Sequence, residues 1–480
     1  MTVVRSRVVT VDFHVTLAGR GDLGGQIYRQ IRAAVLDGRL RPGSPLPPSR
    51  ELARRLAVSR GTVAGAYDRL VAEGFAEGRT GAGTFVRPVG RPVTPAVPPA
   101  AEGVRPDPRW ASVVVPPNPF LTDAPEFDLR TGIPDIRLFP YEAWRRLTAR
   151  ALRPSAMGTG MHGDPAGDPG LRAAIARHIG VSRAVRATDV LVTQGAQQAI
   201  DLVGRVLLRP GDIVAVEDPG YPTPRELFRS LGAKVVGVPV DSAGLRVDLL
   251  PPSARIVYVT PSHQFPLGPP MPLDRRLALL DWARTRDAVV IEDDYDTEFR
   301  YGGRPVEPLQ ALDDAGRVVY VGTFSKVLLP LLRIGFLVAP PPLRPALRAA
   351  KYVTDWHTAL PTQLALAGFI EEGLLARHVR RMRRVYQARH ELLAELITRD
   401  FAGRLELIPA EAGLHLSAWT APGVDAYAIS RRARGRGVGL YAMSRFRMEP
   451  GPGGLVFGYG GVPLERMEEA LQRLSSVWPS

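Results

Sequence analysis

Only three of the 62 basic residues in this 480-residue chain are lysines, Lys234, Lys326 and Lys351; the rest are arginines. Arginine stays protonated, whereas a desolvated lysine can release its proton and attack an aldehyde as a free amine. Lys326 follows Ser325 at the end of the β-branched run RVVYVGTFSK, where an amine would meet a ligand crevice. Lys234 and Lys351 have no such setting and are expected as surface cations. Asp293, after the apolar run AVVI, supplies a carboxylate, and Tyr295 a phenol two residues on. The string GAQQAIDL puts Gly195, Ala196 and Gln197 at a helix start, where free N–H groups bind anions. Arg333 adds a fixed charge, Thr323 a hydroxyl, and Tyr221 of EDPGYP an aromatic face. Together these are the parts of a pyridoxal phosphate site, with Lys326 as its Schiff-base residue and Asp293 facing the pyridine nitrogen. The acidic run 292–294 could instead rim a metal, but no histidine accompanies it at ligand spacing, and no metal is expected.

Such groups need a sheet to bring them together. From Leu129 onward, β-branched runs alternate with helical patterns, which predicts an α/β domain with a mainly parallel sheet. DIVAVE leads into DPGYP, RIVYV into TPSHQFP, AVVI into EDDYDTEF and RVVYV into GTFSK. Residues just past the carboxyl ends of parallel strands line the crevice of such a sheet, so four strands deliver polar or aromatic groups to one rim.

At roughly 150 residues per domain, the length allows about two to four domains. With 45% apolar and 23% charged residues the composition is that of a globular protein. The absence of cysteine excludes disulfides, thiolate catalysis and Cys-ligated metal. The start, MTVVRSRVVTVDFHV, lacks the pattern of a secretory signal. The longest uncharged stretch, residues 256–273, holds five prolines and cannot span a bilayer as a helix. A cytoplasmic protein with no membrane partner is expected. The net charge is +14, and residues 1–87 carry +7 of it, from 14 Arg against 7 Asp and Glu. That asymmetry points the N-terminal part toward a polyanion. Residues 88–119 contain ten prolines in 32 positions and are expected as a semi-rigid linker between residues 1–87 and 120–480.

Within the N-terminal part, Leu23, Ile27, Ile31 and Val35 draw one apolar stripe along a helix that ends near Gly38. A second helix, capped by Ser49, turns Leu52, Ala53 and Leu56 inward. After a turn of about three residues, Ser59 caps a third helix that buries Val63, Ala66, Tyr67, Leu70 and Val71. A two-stranded ribbon over residues 75–86, with Gly81 and Gly83 at its tip, completes a winged helix-turn-helix. In that geometry Ser59, Arg60 and Thr62 enter the major groove of double-stranded DNA, with Arg60 bonding a guanine edge. Arg50 would hold phosphate, and Arg79 with Thr80 would approach the backbone or minor groove.

Residues 25–86, with LPPSRELARRLAVSRGTV and the closing GAGTFV, resemble the DNA-binding domain of GntR-family regulators. Many members carry a further arginine where this chain has Ala64, so the resemblance leaves the operator sequence open. Residues 120–480 resemble fold-type I aminotransferases in GIPDIRLFP, GDPAGDPGLRAAIA, GAQQAIDL, EDPGYP, IEDDYD and GTFSKVLLPLLRIGF. The joined chain resembles the MocR subfamily of GntR regulators. The resemblance implies that Lys326 bonds the cofactor covalently, Asp293 pairs with the pyridinium and Tyr295 bonds the phenolic oxygen. It also implies a head-to-tail homodimer, each DNA-binding domain lying against the other subunit's large domain. Three positions depart from the aminotransferase pattern. Phe265 stands where an asparagine usually bonds the cofactor, which MocR proteins commonly share and which argues against full transamination. His162 replaces a tyrosine that reaches the neighbour's phosphate. Gly453 and Gly454 lie near the place of the usual carboxylate-gripping arginine, and Arg445 in YAMSRFR is the alternative for an effector carboxylate.

The expected function is a DNA-binding transcription regulator that senses pyridoxal phosphate, alone or with a small amino compound. A working aminotransferase with an accessory DNA-binding module, or a cofactor-free dimerisation scaffold, are the competing readings.

Overall fold

The computed structural model describes residues 15–19, 21–88, 107–108, 110, 113, 124–302 and 307–478. Most of the Pro-rich stretch and the first 14 residues lie outside the described residues. By backbone contacts the chain forms two units, 1–106 and 107–480.

In the first unit the four-residue apolar stripe coils into α1 (Leu23–Leu36), with Ile27, Ile31 and Val35 buried and Leu23 half-buried. The Asp22 side chain caps it by accepting from the Gly25 N–H. Two short helices follow, α2 (Ser49–Arg55) and α3 (Arg60–Ala72). Ser49 is the first residue of α2 rather than its cap: Pro48, with no side-chain hydrogen bond to give, holds the cap position. Proline's missing N–H costs nothing at this position, because the first N–H groups of a helix have no partner within it. The connection to α3 spans residues 56–59, one more than expected. Ser59 caps α3 as anticipated, its Oγ accepting from the Thr62 N–H at 3.1 Å. Val63, Ala66, Tyr67 and Leu70 form the buried face, whereas Val71 is exposed; its position turns it past the edge of the stripe. Strands β1 (Ala76–Arg79) and β2 (Gly83–Val86) pair antiparallel, with Gly81 at φ 76° and Gly83 at φ 109° closing the tip. Ile27, Ile31, Val63 and Leu70 have no exposed surface, and burying each contributes about 2 kcal/mol.

Among the described residues the second unit holds fourteen further strands. A two-stranded parallel pair joins β3 (Phe127–Asp128) to β14 (Val438–Gly439). The central sheet takes β4 (Leu191–Thr193), β5 (Ile213–Asp218), β6 (Lys234–Asp241), β7 (Gly244–Leu245), β8 (Ala254–Val259), β9 (Val289–Asp294), β10 (Val318–Thr323) and β11 (Gly335–Val338). Its order is β4-β11-β10-β9-β8-β5-β6-β7. The contiguous strands β10, β9, β8, β5 and β6 are parallel. β11 runs against both β10 and β4, so β4 shares their direction. Central strands are buried on both faces, as their unbroken Val and Ile runs require. A four-stranded antiparallel sheet, in the order β12 (Leu405–Leu407), β13 (His415–Thr420), β16 (Gly454–Gly458), β15 (Tyr441–Ala442), forms a smaller layer. This is the expected α/β architecture. Among the described residues no helix is long and apolar enough to cross a membrane.

Candidate functional site

Among the described residues six parallel strands, β4 included, point their carboxyl ends to one rim of the central sheet. β4, which the four-strand sequence expectation did not count, delivers the turn at Gln194 and Gly195. Just past β10, the Lys326 Nζ donates to the Gly132 carbonyl at 3.0 Å. A side chain at Gly132 would meet that amine at 2.7 Å, so the glycine makes room for it. Burial pushes the Lys326 pKa below the ordinary lysine value, against the carboxylates of Asp296 and Asp293, which favour the ammonium. Asp293, on β9, is buried, and its Oδ2 accepts from the Tyr258 hydroxyl at 2.6 Å. Its other oxygen, Oδ1, is buried with no partner. Burial raises the Asp293 pKa to about 6, although the Tyr258 hydrogen bond opposes the shift. An unpartnered carboxylate oxygen deep in a rim is costly unless a ligand donor meets it.

The anion cradle is built from three segments. Gly195 precedes the helix Ala196–Leu207 at φ 84°, a conformation that favours glycine, and no side chain caps the helix. The first-turn N–H groups of Ala196 and Gln197 are therefore available to an anion. The Arg333 guanidinium donates to the Gln194 carbonyl at 2.8 Å, and a side chain on Gly195 would meet it at 2.9 Å. Gly335 backs the turn so closely that a side chain there would meet the Gly195 Cα at 2.8 Å. Thr323 is paired with Gly335 across β10 and β11, and its Oγ1 donates to the Ser325 Oγ at 3.0 Å. Amine, free carboxylate oxygen and uncapped helix start fit a pyridoxal phosphate.

Tyr295 is half-buried, with its hydroxyl donating to the His263 carbonyl at 3.0 Å and lying 2.9 Å from His263 Nδ1. His263 Nδ1 also lies 3.0 Å from an Asp296 oxygen. Sequence reading missed this cluster, because His263 and His415 come from loops and strands far from the acidic run. The fold gathers His263, Asp296 and His415 so that one ligand atom of each lies within 4.8 Å of the others. Hydrogen bonds occupy much of the group: His415 Nε2 lies 3.0 Å from the Pro266 carbonyl, and burial lowers the His415 pKa to about 3. Phe265 packs among Tyr221, Tyr295, His415 and Phe446, at ring distances of 5.7, 6.0, 5.3 and 5.1 Å.

Two candidate residues lie outside this group. His162 is exposed and stacks on Trp356 at 4.3 Å. Arg445 is exposed on a short 3-10 turn with its guanidinium 4.7 Å from the Tyr441 ring. The expectation for Lys351 is overturned: it is fully buried, bonded to Asp355 at 2.6 Å. Leu347 and Lys351 are the buried residues of the helix Arg344–Asp355, four apart, with Asp355 another four on. That spacing was the signal available in the sequence. Lys234 is exposed as expected.

In the first unit, Arg50 and Arg60 are exposed and form no ion pair with the described residues. Ser59 and Thr62 bond one another, Oγ to Oγ1 at 2.8 Å, so both serve the cap. Arg79 donates to Glu77 at 2.7 Å and lies over the Phe85 ring, while Thr80 is exposed at the ribbon tip. Two free cations at the starts of α2 and α3 are what a polyphosphate partner requires.

Residues 23–86 match the family of bacterial regulatory proteins called gntR, and residues 127–474 match aminotransferase class I and II. The chain is 38% identical over 468 residues to the probable rhizopine catabolism regulatory protein MocR of Rhizobium meliloti, covering 94% of this chain and 93% of that one. It is 35% identical to the pyridoxine biosynthesis transcriptional regulator PdxR of Corynebacterium glutamicum, covering 94% and 95%. Among solved structures, the kynurenine aminotransferase of Pyrococcus horikoshii is similar with a TM-score of 0.69 and 30% identity, over 74% of this chain and 91% of that one.

Proposed function

The chain belongs to the GntR family of bacterial regulatory proteins, in the MocR-type arrangement that joins a helix-turn-helix to an aminotransferase domain, and from that premise we propose a cytoplasmic transcription regulator that senses pyridoxal phosphate. When bound, pyridoxal phosphate supplies an aldehyde that joins amines covalently and a ring that withdraws electrons from them. Lys326 is the amine that holds it, and Asp293 keeps a proton on the pyridine nitrogen. Tyr295 donates to the phenolic oxygen, and Tyr221 covers the ring. Gly195, Ala196, Gln197, Thr323 and Arg333 take the phosphate. In a head-to-tail homodimer His162 reaches the second subunit's phosphate, and Arg445 takes the carboxylate of an amino compound. On double-stranded operator DNA, Arg60 contacts a base edge and Arg50 a phosphate, with Ser59, Thr62, Arg79 and Thr80 around them. A ligand changes DNA affinity only by binding two arrangements of the protein with different energies.

The observation that carries this reading is a desolvated lysine on the same rim as a buried carboxylate oxygen that has no partner. Similarity to kynurenine aminotransferase over most of its length favours a second reading, an active aminotransferase. Phe265, which has no donor to offer, weighs against sustained turnover. Absorbance of full-length protein after incubation with pyridoxal phosphate and dialysis tests the proposal. A retained visible band that borohydride removes is expected; a spectrum of protein alone sinks it.

A further inference from the structure

Lys351 is a fully buried cation with no place in the site described above. Its Nζ donates to both Asp355 oxygens at 2.6 and 2.7 Å and to Gln198 Oε1 at 3.0 Å, with Thr358 Oγ1 a longer contact at 3.4 Å, so all three of an ammonium's hydrogens are met. Asp355 Oδ2 accepts in addition from Gln194 Nε2 at 2.7 Å and Gln198 Nε2 at 2.8 Å. Gln198 Oε1 also accepts from the Gln194 N–H at 2.8 Å, so both ends of that amide are fixed. Gln194 is the residue before Gly195, and its carbonyl accepts from Arg333. A continuous line of charged and amide groups therefore runs from Lys351 through Asp355 to the turn that starts the helix Ala196–Leu207 and to the guanidinium beside it.

We propose that Lys351, acting through Asp355, is a positioning residue for the anion cradle, holding Gln194 and Gln198 so that the Gly195–Gln197 turn and Arg333 face a phosphate. The inference rests on the cofactor reading above. The choice of lysine in a chain that otherwise uses arginine follows from the space. A compact ammonium is satisfied by acceptors gathered around one point, whereas a planar guanidinium would bring five donors in a fixed fork that these acceptors do not match. Gln194 and Gln198 are one helical turn apart, so a single carboxylate can clamp both across the start of the helix. The clamp also borders His162: Trp356, the residue after Asp355, stands at φ 64° and stacks on that imidazole.

The test compares equilibrium binding of pyridoxal phosphate and of pyridoxal, which lacks the phosphate, to full-length wild-type protein and to Lys351→Met. A positioning role lowers pyridoxal phosphate affinity about tenfold or more, the value of a charged hydrogen bond, and leaves pyridoxal affinity unchanged. The phosphorus resonance of the bound cofactor should shift in the same variant. Gln194→Ala, at an exposed position that spares the buried lysine, should lose about threefold in the same ratio. It keeps the test decisive if Lys351→Met does not fold. An unchanged ratio in both variants, or equal losses for the two compounds, overturns the inference. Wild-type protein that takes up neither compound refutes the cofactor reading itself.

Discussion

The two units handle charge in opposite ways. The N-terminal unit leaves Arg50 and Arg60 in water with no partner among the described residues, on short helices around one small core. The large unit buries a set of ionisable groups around its site: Asp293 and Glu292 on β9, Glu217 on β5, and Lys351 behind the cradle. In the first, charge matters as charge, and a polyanion is met by any cation in the right place. In the second, burial changes what each group is, making a lysine a better amine and a carboxyl a reluctant acid.

The sharpest way to break that contrast is to keep charge and change chemistry. Lys326→Arg retains a cation but no amine that can deprotonate, and should lose the visible absorbance band entirely. Arg60→Ala should weaken binding to the preferred DNA sequence by about tenfold to a hundredfold and relax base preference. Arg50→Ala should weaken all sequences alike and lower the salt slope by about one. If Lys326→Arg kept the band, or Arg50→Ala changed base preference, the division of roles would fail. Asp293→Asn preserves the shape beside Tyr258 and removes the carboxylate; cofactor affinity should fall about tenfold, read by titration of the band.

The smallest expected effect is one of pH. Burial raises Glu217 and Glu292 to about 7 and Asp293 to about 6. Between an unfolded carboxyl value near 4 and these values, the fold holds protons that the unfolded chain has released. Stability therefore falls as pH rises from about 4 to about 7. All six tryptophans lie in residues 107–480, so their fluorescence follows that unit alone. Its melting temperature in cofactor-free protein should drop by a few degrees over that range, and Glu292→Gln should flatten the slope. A melting temperature that rises with pH contradicts the assignment.

Much of this was legible in the sequence, for particular reasons. Ser59 as a cap, the stripe of α1 and the strands ending at Asp218, Val259, Asp294 and Thr323 depend on local spacing, which the chain states directly. The rim residues were legible because parallel strands bring their carboxyl ends together whatever lies between them. Contacts between distant segments were not. Tyr258 as the partner of Asp293, Gly132 as the acceptor for Lys326, and His415 beside Asp296 are set by tertiary packing, with no periodicity to announce them. Lys351 lies between these cases: its four-residue spacing from Leu347 and Asp355 marks the buried face, but rarity alone suggested only a surface cation.

The central claim is that the buried site and the exposed arginines belong to one regulator. It is tested most directly by the affinity of full-length protein for a DNA fragment selected from a random pool, with and without pyridoxal phosphate, in wild-type and Lys326→Ala protein. The account predicts that pyridoxal phosphate shifts wild-type affinity, by about fivefold or more, and leaves the variant unmoved. The same affinity in all four measurements, or an equal shift in the variant, would contradict it.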